Sequence, residues 1–186
     1  MSSVRRFVVA HTLCPLQVAL ESLLARWDSR HLIQELNIGL RDIEPTKESL
    51  LVDRLENALA LLERYDPQRL RRIQRGLRRI VVTEKLGRNA ASYVPATRSC
   101  YLDAAFVETY SAANIAIALV HEGTHARLHD AGIRASAALL TRIERLCVAA
   151  ELEFAKKLPV SVYRSIPEWM RRRTEYLDTL LTERRV

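Results

Sequence analysis

Residues 115–129 read IAIALVHEGTHARLH. Six apolar residues, Ile115 to Val120, run directly into His121-Glu122-Gly123-Thr124-His125. Ser111 upstream is suited to an N-cap and Gly132 downstream to a stop, so the spacing predicts a helix from Ala112 to about His129. Residues four apart share a helix face, which lets His121 and His125 aim imidazole nitrogens at one point. Glu122 lies about a quarter-turn round, beside that point. H-E-x-x-H on a helix is the arrangement in which two imidazoles hold Zn²⁺ and the carboxylate serves as general base toward water at the metal. Two histidines among apolar neighbours are costly without a partner, which argues against an incidental pair.

A catalytic zinc takes three protein ligands and keeps one position open. A metzincin would have Gly at position 128 and His at 131; Leu128 and Ala131 exclude that class. A second predicted helix, from near Ser136 to about Leu158 ahead of Pro159, offers Glu144 and Glu151. They share a face with Cys147 and Val148. If this helix runs antiparallel to the first, Glu144 comes level with His125, as third ligand. Glu151 then lies roughly 10 Å further along, as an acceptor for a ligand imidazole. A shift of the loop exchanges the two roles. Glu153 points elsewhere, toward solvent, and Cys147 reads as a small buried residue. His129 is roughly 12 Å along the axis from His121, too far to share its ion, so a supporting or surface role is expected.

Upstream of the motif the pattern changes twice. Residues 16–79 read as helices: Leu16, Ala19, Leu20, Leu23 and Leu24 recur at helical spacing, as do Leu50, Leu51, Leu55, Ala58, Leu61 and Leu62. Glu44-Pro45-Thr46 starts the second of these, and Asp66-Pro67 opens a third through Arg79. Ile80-Val81-Val82-Thr83 is a β-branched run closed by Gly87-Arg88-Asn89, hence a strand and turn. Ala91–Pro95 and Arg98–Asp103 read as short extended pieces. Residues 167–186 read as one more basic helix. The expected class is α+β, dominated by helices. Residues 1–79 are expected to form a helical region packed as one unit on a core of 80–186, and that core to have a sheet of about three strands.

The chain has 186 residues, 48% hydrophobic and 27% charged, with only 6% aromatics and five glycines. A disordered or collagen-like chain is excluded, and a helix-rich fold fits better than an all-β one. Cys14, Cys100 and Cys147 are too few and too scattered for a disulfide framework or zinc knuckle. No signal segment or stretch of roughly 18 apolar residues is found, so a cytoplasmic protein off the membrane is expected, export without a cleaved signal aside. Arginines crowd residues 64–79 and 171–173 and contribute to a net charge of +7. Such runs are usually solvated faces, and no nucleic-acid-binding signature accompanies them.

His121 to His125 followed by a downstream Glu resembles the zincin metallopeptidases, in the gluzincin branch to which thermolysin belongs. The order of short sheet, active-site helix and backing helix over about Ile80 to Leu158 is similar to that of the minigluzincins. The resemblance implies one zinc ion per chain, held by His121, His125 and a downstream Glu, with Glu122 as base and acid. It also implies that Arg98–Asp103 is an edge strand along which a substrate peptide lies extended, with Tyr101 and Tyr93 as candidates to polarise its carbonyl. Val148 departs from the thermolysin-type Glu-x-x-x-Asp pattern.

The expected function is therefore zinc-dependent hydrolysis of peptide bonds. The expected partner is a peptide or protein substrate, with the positive charge favouring an acidic one. Two alternatives stand beside it. One is a regulatory protein whose zincin-like site acts on a single partner. The other is a basic helical module for nucleic acid or protein, in which the motif is incidental.

Overall fold

The computed structural model describes residues 29–84, 86 and 89–172. The helix expected over 16–24, Cys14, the Gly87-Arg88 turn and the tail beyond 172 lie outside the described residues. Strands β1 (Ser29–Ile33) and β2 (Leu36–Arg41) form a hairpin. Two helices follow, α1 (Pro45–Tyr65) and α2 (Pro67–Gly76), then β3 (Arg79–Thr83), β4 (Ala91–Val94) and β5 (Ser99–Asp103). The chain continues through α3 (Ala104–Thr109), α4 (Ala112–Asp130) and α5 (Ala137–Ala155), and two short helices, α6 (Val160–Ser165) and α7 (Glu168–Arg171). The protein is helix-dominated α+β with a small mixed sheet.

The sheet has five strands in the order β1-β2-β3-β5-β4, so the expectation of about three is corrected. β2, β3 and β5 run parallel, and β1 and β4 close the two sides antiparallel. The two additional strands, β1 and β2, fall where only helices were expected. Their connection explains the miss: Gln34 and Glu35 both take positive φ, 46° and 64°, the backbone of a tight hairpin turn without the usual glycine or asparagine. The chain there is held from outside, by Gln74 donating to the Gln34 carbonyl and Gln34 donating to Glu63.

A second correction concerns β5. It is not an edge strand, because β3 flanks it on one side and β4 on the other. β4 is the edge strand at this end of the sheet. Asp103 N–H bonds to the Ala90 carbonyl, which sets the alternation of the β4–β5 ladder and turns the amides of Ala91 and Tyr93 outward.

One sheet face carries Ile38, Leu40, Ile80, Val82, Cys100 and Leu102 into the main core. Leu51, Leu55, Leu59 and Leu62 of α1 meet them there. α4 packs against α1, α2, α5 and β4, and fifteen of its nineteen residues are buried, so it is the central helix. Ser111 caps its start by accepting from Asn114 N–H, and Gly132, at φ 80°, turns the chain after its end. α2 is shorter than expected, stopping three residues before Arg79 as the backbone extends into β3.

Candidate metal centre

Two helices build the site. α4 presents His121 and His125 one turn apart, and α5 returns alongside it with Glu144, Cys147 and Glu151 on the facing side. His121 Nε2 and His125 Nε2 lie 3.1 Å apart. The Glu144 carboxylate faces both, with its oxygens 3.4 Å from each nitrogen. Donors about 2.0–2.1 Å from a tetrahedral zinc are separated by about 3.3 Å, the edge of that tetrahedron. Three side-chain donors are therefore spaced as the ligands of one small ion would be. One Glu144 oxygen is buried without a hydrogen-bond partner, which also fits a site shaped for a cation.

Glu151 occupies a different place. It is buried and hydrogen-bonded to His121 Nδ1, on the side of the ring away from His125. That contact fixes the ring's orientation and leaves Nε2 facing Glu144. Burial would lower the His121 pKa, but the Glu151 charge and the hydrogen bonds of Glu144 and Glu151 outweigh it and push it up to about 10. For Glu144, burial works against the charged form, yet the two histidines hold the carboxyl well below the usual range. Both shifts have one cause: imidazoles and carboxylates packed together out of water, each favouring the charged form of the other.

Cys147 is fully buried and belongs to this cluster too. His121, His125 and Cys147 have donor atoms all within 4.8 Å of one another and can together hold a metal ion. Cys147, expected as a packing residue, does pack on Leu128 and Ile143. Its place one turn beyond Glu144 on the facing helix was the available signal. A zinc-bound thiolate would sit about 3.6 Å from a nitrogen ligand, so Glu144 fits the histidine pair more closely than Cys147 does.

Glu122 is buried beside the pair, and its carboxylate accepts a hydrogen bond from the Tyr93 backbone N–H. Burial raises its pKa, against the lowering effect of His121 and His125. The outward-facing edge of β4 thus meets Glu122 directly, a link that residue spacing does not reveal.

The two tyrosines lie elsewhere. Tyr101 sits on the opposite face of the sheet, packed with Val81 and Val94 and under the Arg41 guanidinium, 5.8 Å from its ring centroid. Neighbouring strand residues face opposite ways, and Cys100, not Tyr101, points toward α4. Tyr93 turns its side chain into the core and meets His129 edge-on at 6.2 Å, so its backbone rather than its ring reaches the site. His129 contacts Arg134 and takes no part in the donor cluster. Glu153, expected in solvent, is exposed but ion-paired with Arg69 at 3.0 Å.

No family model, curated protein or solved structure matches the chain. Among the described residues, no helix is long and apolar enough to cross a membrane.

Proposed function

We propose that this protein is a zinc-dependent peptidase of the gluzincin kind, with His121, His125 and Glu144 as ligands and Glu122 as general base. The observation that carries the reading is the triangle of donors 3.1–3.4 Å apart with the Glu122 carboxylate buried next to it. Bound there, zinc would act as a Lewis acid on a peptide carbonyl and lower the pKa of water. Glu122 is placed to hold a proton between water and a departing amine and would serve as base and then acid, and its raised pKa suits both halves of the task. Glu151 keeps the His121 ring in register. An extended peptide would lie along β4, the edge strand, whose Ala91 amide also turns outward, so β4 replaces β5 as the docking strand.

The test is metal content and cleavage in parallel. One zinc per chain is expected in the wild type and in Glu122→Gln, with peptide hydrolysis in the variant reduced by about 10²–10⁴-fold. Equal cleavage by the variant, or a protein that takes up no zinc with both histidines intact, overturns the reading.

A second reading has its own observation. If Cys147 ligates as well, four protein donors fill the open position that hydrolysis needs, and the centre becomes a structural or regulatory one. Such a protein would hold zinc and leave generic peptides uncut.

A further inference from the structure

The far side of the α4–α5 seam carries a second feature with no part in the metal centre. Between α2, α4 and α5 lies a cavity of about 200 Å³. Its floor is apolar and small, formed by Ile73, Val120, Gly123 and Ala150. Thr124 on the floor is already committed, its hydroxyl donating to the Val120 carbonyl at 2.8 Å. Leu146, partly exposed, forms part of the wall.

The rim is cationic. Arg69 and Arg72 come from α2 and Arg127 from α4, against the single carboxylate of Glu153 from α5. Three guanidiniums and one carboxylate leave two positive charges. Arg69 is occupied by Asp66 at 2.9 Å and Glu153 at 3.0 Å. Arg72 and Arg127 are exposed and make no ion pair among the described residues. Ordinary surface arginines find carboxylates or face open water, whereas this pair borders a concave apolar floor.

We propose that this cavity is a binding site for a compact phosphate monoester with a small apolar body. Two unpaired guanidiniums match the charge of a dianion, and their planar forks suit phosphate oxygens. The floor takes the apolar part. At about 200 Å³ the space is below that of drug-sized ligand pockets and fits one ring or a short chain. The site is independent of the zinc reading, because none of its walls is a proposed ligand.

Phenyl phosphate is a suitable probe, titrated calorimetrically into the full chain, with benzoate and inorganic phosphate in parallel. One phenyl phosphate per chain is expected, with a dissociation constant on the order of 1 mM for so small a molecule. Arg72→Gln and Arg127→Gln should each weaken it about tenfold, the loss of one charge-assisted contact. Arg164→Gln, on α6 away from the cavity, should leave it unchanged. Ala149→Phe places a ring in the cavity mouth from an exposed position on α5 and should abolish binding while the protein stays folded. Inorganic phosphate and benzoate should both bind at least tenfold more weakly. Absence of saturable binding, persistence in Ala149→Phe, or equal affinity for inorganic phosphate or benzoate would each overturn the assignment.

Discussion

His121 Nδ1 is hydrogen-bonded to the carboxylate of Glu151, thirty residues later in the chain, while its Nε2 faces His125 and Glu144. One ring thus joins two carboxylates that play different parts. The outer carboxylate holds the ring still and, in the proposed metal centre, would make it a better donor. Removing it as Glu151→Ala should weaken zinc affinity by about 10–100-fold without eliminating the site. Competition against a chromophoric chelator measures this, and an unchanged affinity would show that Glu151 does not tune the metal.

In the proposed zinc centre Glu144 and Cys147 would compete for the role of third donor, and their chemistry separates them. Cobalt(II) substituted for zinc gives an intense near-ultraviolet band only when a thiolate is bound. The shorter Glu144 distances lead us to expect no such band, near-normal affinity in Cys147→Ser, and a loss of more than about 100-fold in Glu144→Ala. A strong band that disappears in Cys147→Ser would move the protein to the four-donor reading.

Asp66 ties the start of α2 to the segment after α5. It caps α2 through Arg69 N–H, pairs with the Arg69 side chain, and accepts from Lys157 beyond α5 at 2.8 Å. Burial would raise its pKa, but the hydrogen bonds and charges of Lys157 and Arg69 prevail and lower it below 3.8. A depressed folded pKa contributes stability that is complete above the unfolded value and is lost as pH falls from there through the folded one. Asp66→Asn should cost about 1–3 kcal/mol at neutral pH. Urea unfolding should show wild type and variant converging below about pH 3.8. Curves that stay parallel into acid would refute the account.

Gly123 sits where α4 crosses α2. A Cβ there would lie 2.6 Å from Ile73 Cγ1, and Ile73 is a buried, β-branched side chain with little freedom to yield. Alanine gains about 1 kcal/mol of helix propensity, whereas overpacking costs about 1–3 kcal/mol. Gly123→Ala should therefore be net destabilising, and less so when combined with Ile73→Ala. A more stable single variant, by denaturant midpoint, would mean the two helices are free to part.

What was readable in the sequence was local. Helix α4 and its stop at Gly132 follow from periodicity and turn chemistry within one segment, and so do the starts of α1 and α2. Glu144 was placed from loop length alone, because a short connection leaves an antiparallel return little choice. The hairpin β1–β2 was missed since Gln34-Glu35 carries no turn signature and its support comes from Gln74, forty residues away. Strand order escaped for the same reason: only pairing over long separations puts β5 inside and β4 at the edge. The misplacement of Tyr101 was a question of face, since adjacent strand residues point to opposite sides and composition does not say which is which.

The parallel pairing of β2 with β3 joins Asn37–Arg41 to Arg79–Thr83 along their whole length. A fragment beginning at residue 80 would keep both histidines, Glu122 and Glu144. It would also bare Ile80-Val81-Val82 as an open strand margin, rich in branched apolar residues and ready to recruit further copies. The hairpin that precedes the histidine motif in the chain thus covers a margin along which further copies would otherwise add.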